Sequence, residues 1–150
     1  MNFEELMLRA VTNAETFKYT AKPNPVVGAI LCNDNEIISE GYHEIYGSNH
    51  AEINAISNAR KHQGKKFNNF SELALVCTLE PCSHVGKTGS CAEQIVETGI
   101  KKVVIGSIDP NPKVAGKGIE ILKKNGIDVT VGIHEDIVKN QNKYFFFKHT

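Results

Sequence analysis

The second half of the chain alternates apolar, strand-like runs with helix-like stretches, and this order constrains the fold more than any other feature. Strands are predicted over residues 73–78, 102–108 and 128–132, with helices starting near Cys91 and over 116–124. One last helix is predicted from Glu135, with the aromatic residues 144–147 at its end. Strands that alternate with helices pair in parallel through right-handed crossovers. The sequence therefore predicts a parallel sheet in this half.

The first half predicts a different arrangement. Apolar residues recur at helical spacing over 3–17, and Asn2 with Glu5 forms a plausible capping pair. Residues 26–32 and 36–42 predict an antiparallel strand pair, followed by a helix over 50–61 and a polar loop over 62–71. We therefore predict a single α/β domain over residues 1–150, with three layers (α/β/α) and a mixed five-stranded sheet.

Composition excludes several classes of protein. Seventeen basic and seventeen acidic residues give a formal net charge of zero, whereas a nucleic-acid-binding protein usually carries excess Lys and Arg. Neither a signal sequence nor an apolar run long enough to span a bilayer is present. We expect a cytoplasmic protein without nucleic-acid or membrane partners, whose four cysteines are thiols or metal ligands rather than disulfides.

Four residues predict a catalytic zinc site. His50, Cys82 and Cys91 supply three ligand atoms, and Glu52 supplies a carboxylate. Structural zinc normally takes four protein ligands, whereas catalytic zinc keeps three and leaves a position for water. A nearby carboxylate can move protons to and from that water. Residues two apart lie about 200° apart around a helix, so His50 and Glu52 can share a site only at the first helical turn.

Two other interpretations of these residues remain open. In the first, His50 and Glu52 are surface residues and both cysteines are inert. A closed, structural zinc site could take His84 or Cys77 as its fourth ligand. Cys77, like Cys32, lies in an apolar strand and is more typical of a small buried side chain. A histidine and a glutamate two residues apart, followed by two cysteines, are typical of zinc deaminases.

Rigid polar loops could select a substrate. Asn24, Asp109 and Asn111 each precede a proline, which favours extended, stiff backbone. Such side chains suit hydrogen bonding to a planar heterocycle, although Asn, Asp and Pro are also ordinary turn residues. Asp109 and Asn111 follow a strand's carboxyl end, where open α/β sheets place ligands. Residues 83–90, which include Lys87, could bind an anion, but they lack the spacing of a phosphate motif.

Together these motifs identify a family that the chain resembles. Over nearly its whole length, the chain is similar to the deaminase domain of the bifunctional riboflavin-biosynthesis deaminase/reductases, which are cytidine-deaminase-like enzymes. The matching segments are residues 23–28, 41–43, 50–52, 78–84, 86–88, 91, 109–112 and 116–118. Related deaminases usually carry a second cysteine three residues after the first, whereas Cys91 follows Cys82 after a longer loop, as in the riboflavin type.

The resemblance implies a role for each matching residue. It implies that zinc is bound by His50, Cys82 and Cys91, and that Glu52 shuttles protons. It implies substrate contacts from Asn24, His43, Lys87, Thr88, Asp109 and Asn111. The implied substrate is a ribosylated aminopyrimidine 5′-phosphate, which loses its 2-amino group as ammonia by hydrolysis. Members of this family are usually oligomeric, so a homo-oligomer is also expected.

The chain departs from the family pattern in three places. Gly89 and Ser90 stand where the family typically has two prolines, which predicts a looser loop around Lys87 and Thr88. The polar loop over 62–71 is longer than usual. The chain also stops where the family's reductase domain would begin, so we expect either a stand-alone deaminase or a fragment, with a reductase as a possible partner.

Two alternative functions remain. A tRNA adenosine deaminase would use the same zinc chemistry, but the zero net charge and the longer spacing between the cysteines argue against it. A non-catalytic, zinc-stabilised module could serve as a partner for a separate reductase. Glu52 discriminates between an enzyme and this non-catalytic module, because a scaffold needs no proton shuttle.

Overall fold

The middle layer of the molecule is a mixed β-sheet. A computed structural model describes residues 2–45, 48–63, 70–83 and 90–148, without the side chains of 62 and 63. Five strands lie in these ranges: β1 (Gly28–Cys32), β2 (Ile37–Tyr42), β3 (Ala74–Leu79), β4 (Lys102–Ser107) and β5 (Asp128–Val131). Each lies within two residues of its predicted bounds.

The order of the strands is β2-β1-β3-β4-β5. β1 pairs antiparallel with both β2 and β3, while β3, β4 and β5 are parallel. The predicted antiparallel pair and the predicted parallel half are both confirmed. Since β3 and β4 are adjacent and parallel, their carboxyl ends meet at one edge of the sheet, where ligands are expected.

Helices cover both faces of the sheet. They are α1 (Phe3–Ala14), α2 (Ala51–Gln63), α3 (Cys91–Thr98), α4 (Lys117–Lys124), α5 (Glu135–Gln141) and α6 (Lys143–Lys148). Asn2 caps α1 by accepting bonds from two backbone N–H groups, and a 3₁₀ turn extends this helix over Glu15–Phe17. The prediction of one final helix is wrong, because the chain leaves helical geometry at Asn142, between α5 and α6.

Two hydrophobic clusters fill the space between the layers. Leu75, Ile95 and Leu122 belong to the larger cluster, on the face covered by α2, α3 and α4. Met7 and Val76 belong to the smaller cluster, on the α1 face. The predicted three-layer architecture is confirmed. Within the described ranges, no helix is long and apolar enough to cross a membrane.

Helix α2 lies directly against strand β2. A Cβ atom on Gly41 would lie 2.4 Å from the carbonyl oxygen of Ala51, so only glycine permits this approach. The side-chain amides of Asn54 and Asn58 donate bonds of 2.7 Å to backbone carbonyls of β2. These contacts fix the start of α2, where His50 lies.

Candidate active site

Three elements bring the predicted zinc ligands together. His50 directly precedes α2, Cys82 follows β3, and Cys91 opens α3. Their ligand atoms all lie within 4.8 Å of one another, and His50 Nδ1 is 3.2 Å from Cys91 Sγ. Ligand atoms around tetrahedral zinc lie about 3.3–3.8 Å apart for bonds of roughly 2.0–2.3 Å. The donor set therefore fits zinc, while the assignment of these three residues as ligands stays a prediction.

The two cysteines are electrostatically unequal. The backbone N–H of Cys91 points at Cys82 Sγ over 3.3 Å. A hydrogen bond from the Cys91 side chain holds the pKa of Cys82 well below its usual value, and the same bond raises the pKa of Cys91. Cys82 therefore ionises first. Cys91 is the first residue of α3, and the free backbone N–H groups at the start of this helix also stabilise a thiolate.

Glu52 lies in the first turn of α2, as predicted from the spacing to His50. Only 3% of the residue is exposed, and it lines a cavity together with His50 and Cys82. Burial raises the pKa of Glu52 to about 7, since desolvation disfavours the charged carboxylate. Its position matches that of a group that accepts and then donates a proton.

Asn24 and His43 form a hydrogen-bonded pair that also lines the cavity, and the His43 ring packs edge-on against the His50 ring. Asn24 Nδ2 lies 3.0 Å from His43 Nε2, and His43 Nδ1 lies 3.2 Å from the carbonyl oxygen of Asn49. A carbonyl only accepts, so Nδ1 of the neutral ring carries the proton and Nε2 accepts from Asn24. Burial lowers the pKa of His43 and favours this neutral form. The pair holds the Asn24 amide in one orientation.

Asp109 and Asn111 occupy a loop after β4. Asp109 lines the cavity and accepts a bond of 2.9 Å from the backbone N–H of Asn111. The side chain of Asn111 accepts a bond of 3.1 Å from the backbone N–H of Lys113. Asn111 is not among the described residues that line the cavity. The structure therefore places Asp109 with the zinc residues and uses Asn111 to shape the loop.

Glu80 anchors this loop and was not predicted as a site residue. Its carboxylate accepts four backbone hydrogen bonds, from Asp109 and Gly116 at 3.0 Å and from Gly118 and Ile119 at 2.9 and 3.3 Å. The residue is only 6% exposed. An acidic residue directly after a buried strand was the available signal, because a buried carboxylate requires partners.

The start of α4 also approaches the end of β3 closely. A Cβ atom on Gly118 would lie 1.9 Å from the carbonyl oxygen of Pro81, so any other side chain there would force the two segments apart. This contact holds α4 against the segment that carries Cys82.

The cavity itself has a volume of about 180 Å³. Six predicted site residues line it: Asn24, His43, His50, Glu52, Cys82 and Asp109. Five further described residues line it that were not predicted as site residues: Pro25, Val27, Leu79, Glu80 and Phe145. Phe145 comes from α6, and no local pattern connects it with residues so distant in sequence.

Two regions lie outside this geometry. Lys87, Thr88 and His84 fall outside the described residues, so their predicted roles stay predictions. A separate groove of about 300 Å³ lies between α2 and α3, lined by residues that include Arg60 and Glu97. None of the four predicted zinc-site residues lines this groove.

Below, "zinc side" means His50, Glu52, Cys82 and Cys91. "Substrate side" means the loops of residues 23–25 and 109–112, together with His43.

Known proteins resemble this chain in both sequence and structure. The sequence model of the cytidine and deoxycytidylate deaminase zinc-binding region matches residues 1–107, which agrees with the predicted zinc cofactor. A diaminohydroxyphosphoribosylamino-pyrimidine deaminase of Buchnera aphidicola (subsp. Schizaphis graminum) is 44% identical over 140 residues, covering 93% of this chain and 90% of the relative.

Longer relatives match over part of their length. The riboflavin biosynthesis protein RibD of Aquifex aeolicus is 41% identical, covering 93% of this chain and 37% of the relative. The solved structure of Acinetobacter baumannii RibD superposes with a TM-score of 0.88 at 40% identity, covering 98% of this chain and 40% of that one. The chain thus spans nearly all of the Buchnera relative but only about two fifths of the RibD chains.

Proposed function

Because this chain belongs to the cytidine and deoxycytidylate deaminase family, and within it to the diaminohydroxyphosphoribosylamino-pyrimidine deaminases, we propose that it deaminates a pyrimidine ribosyl phosphate of riboflavin biosynthesis. The substrate is 2,5-diamino-6-ribosylamino-4(3H)-pyrimidinone 5′-phosphate, and the products are the 5-aminouracil derivative and ammonia. The observation that carries the proposal is the buried Glu52 carboxylate, in one cavity with His50, Cys82 and Asp109.

The zinc side performs the chemistry. His50, Cys82 and Cys91 would hold the ion, which, when bound, supplies a Lewis acid that makes water easier to deprotonate. Glu52 takes one proton from the attacking water and delivers it to the departing amino group. One water molecule replaces one amine, so a C–O bond forms, a C–N bond breaks and ammonia leaves. A single carboxylate is enough because the two transfers happen in sequence.

The substrate side orients the ring. The Asn24 amide is held by His43, and Asp109 is held by a loop that Glu80 anchors. Fixed amide and carboxylate groups in a buried cavity hydrogen bond to the ring nitrogens and exocyclic groups of an aminopyrimidine. A base without those groups would leave them unpaired, which is the physical source of discrimination. Lys87 and Thr88 serve the 5′-phosphate in this proposal.

Partners follow from the same proposal. A solved deaminase/5-amino-6-(5-phosphoribosylamino)uracil reductase of Thermotoga maritima is matched over only 40% of its length, so we assign the subsequent reduction to a reductase domain or subunit. We also propose a homo-oligomer and a cytoplasmic location. These assignments are tested by measuring molecular mass in solution and by co-purification with a reductase.

Ammonia release from a panel of substrates tests the proposed reaction. Zinc-loaded protein is incubated with the diaminopyrimidine ribosyl phosphate, its dephosphorylated analogue, cytidine, dCMP and tRNA. We expect the highest kcat/KM with the phosphorylated pyrimidine. Preference for tRNA would favour a nucleic-acid deaminase. Turnover of none of these substrates by a zinc-loaded, folded protein would favour a non-catalytic module.

A further inference from the structure

The C-terminal segment changes direction at Asn142. Helix α5 ends at Gln141 and α6 begins at Lys143, while Asn142 itself has φ −113° and ψ 35°. The residue is only 8% exposed. A buried polar side chain at a break between two helices requires hydrogen-bonding partners.

Those partners lie beside the substrate side of the site. The side chain of Asn142 donates a bond of 2.9 Å to the carbonyl oxygen of Val26 and accepts one of 2.9 Å from its backbone N–H. Both bonds are buried and join residues 116 positions apart. The Asn142 side chain thus pairs with the backbone of Val26 as a residue of a neighbouring strand would. Val26 lies two residues after Asn24.

Helix α6 then delivers Phe145 to the cavity. The three consecutive phenylalanines differ in environment, since Phe146 is 9% exposed in the core and Phe147 is 80% exposed. Phe145 is half-buried and lines the cavity with Asn24, His50, Glu52 and Asp109. Among the described residues that line the cavity, it is the only Phe, Tyr or Trp.

A flat apolar ring beside a zinc site suits a planar substrate. Offset or edge-on contacts between aromatic rings stabilise a pair beyond the area they bury. Apart from Phe145, the apolar cavity residues are aliphatic or proline, and these present no comparable flat face. The carboxylate of Asp109 and the amide of Asn24 provide hydrogen bonds at the edge of a ring but little contact with its face.

We propose that Phe145 is a substrate-binding residue that packs on the planar ring of the substrate, and that Asn142 is the positioning residue that holds both Phe145 and the Asn24 loop. The inference rests on the proposed function for the identity of the ring, while the arrangement itself requires only a planar base. With these roles for Asn142 and Phe145, the C-terminal segment is part of the active site.

Phe145→Leu tests the substrate-binding role, with Phe147→Leu as the matched control. Leucine keeps an apolar side chain but removes the flat face. We expect Phe145→Leu to raise KM roughly three- to tenfold, in line with an aromatic contact, with kcat changed less than KM. Phe147→Leu should leave both constants within about twofold of wild type, because its side chain is exposed. Equal KM values in the wild-type and Phe145→Leu proteins would overturn the proposal.

Asn142→Ala tests the positioning role, with Gln141→Ala as its control. The Gln141 side chain donates a bond of 2.7 Å to the carbonyl oxygen of Val11 in α1, so it ties the same segment to a different place. Asn142→Ala should speed hydrogen exchange at the Val26 amide and raise KM severalfold. Gln141→Ala should lower the melting temperature without raising KM. Faster exchange at Val26 with an unchanged KM would overturn the positioning role.

The substrate panel separates this inference from the proposed function. Wild-type protein that prefers cytidine or dCMP would refute the proposed substrate. The Phe145 comparison would then be made on that preferred base, since each of these rings is planar. Unchanged KM in Phe145→Leu on the preferred base refutes the inference alone.

Discussion

The zinc side and the substrate side of the site are built in different ways. His50, Glu52 and Cys91 lie at the starts of helices, and Cys82 lies three residues after the end of β3. Asn24 and Asp109 instead lie in loops whose backbones are held by buried polar side chains, Asn142 and Glu80 respectively.

This difference follows from what each side has to do. Bond breaking requires ligand and proton-transfer atoms within a few tenths of an ångström, which regular elements provide. Recognition requires particular polar groups at particular positions, and loops supply these when their backbone bonds are satisfied internally. We therefore expect changes on the zinc side to affect kcat and changes on the substrate side to affect KM.

Glu52→Gln should produce the largest loss of turnover. Glutamine fills the same space but cannot carry the proton, so kcat should fall by at least roughly 10²–10⁴-fold, with zinc content and melting temperature close to wild type. Steady-state kinetics, metal analysis and thermal unfolding together check this. The control is Glu93→Gln, which changes an exposed carboxylate in the first turn of α3. Turnover of Glu52→Gln within tenfold of wild type would mean that another group carries the proton.

Lys87→Ala should give the next largest effect, confined to phosphorylated substrate. A hydrogen bond to a charged group contributes about 1.5–3 kcal/mol, so kcat/KM should fall roughly 10- to 150-fold. The dephosphorylated pyrimidine, which has no charge for the lysine to meet, is the control. Equal losses on both substrates would assign Lys87 to structure or zinc binding instead of the phosphate.

Glu80→Gln should weaken the substrate side through stability and KM. In the wild type, backbone N–H groups donate to the Glu80 carboxylate. In the variant, the N–H groups of the glutamine amide would face these donors and leave them without an acceptor. Buried unsatisfied donors cost about 1–3 kcal/mol each. We expect an unfolding free energy lower by about 2–4 kcal/mol and a KM raised severalfold because Asp109 moves. Chemical denaturation and kinetics measure both, with the exposed Glu120→Gln on α4 as control. Wild-type stability in Glu80→Gln would contradict the anchoring role.

Arg9→Met should leave turnover unchanged and serve as a reference outside both sides. The Arg9 guanidinium bonds both oxygens of Glu40 at 2.8 Å, and that bond lowers the pKa of Glu40. A lowered folded-state pKa means that the stabilisation is present above the carboxyl's usual pKa of 4.5 and disappears as pH falls through the folded value. The pair is partly exposed, so the effect should be at most about 1 kcal/mol. Denaturation at pH 7 and pH 3 should show a larger difference between wild type and Arg9→Met at pH 7 than at pH 3.

Local sequence patterns predicted the zinc side better than the substrate side. The spacing of His50 and Glu52 places them at a helix start, and the apolar run of β3 ends just before Cys82. Both are local features, so the sequence predicts where these side chains lie. The alternation of strands and helices similarly predicted the parallel half of the sheet.

The substrate side depends on contacts between distant residues. Glu80 bonds residues 29 to 39 positions away, and Asn142 bonds a residue 116 positions away. The sequence predicted one last helix from Glu135 through Asn142, because a local pattern does not show the distant residue that Asn142 bonds. For the same reason Phe145 was not expected in the cavity.

Zinc stoichiometry in cysteine variants tests the central claim, that His50, Cys82 and Cys91 hold a single catalytic zinc ion. Metal analysis of purified protein, with ammonia release measured on the same samples, compares wild type with Cys82→Ser, Cys91→Ser and Cys32→Ala. Cys32 is the control because its thiol is buried at β1, away from the site. We expect about one zinc per chain in wild type and Cys32→Ala, with metal and turnover both lost in Cys82→Ser and Cys91→Ser. Full activity without zinc, or a full equivalent of zinc in Cys82→Ser, would contradict it.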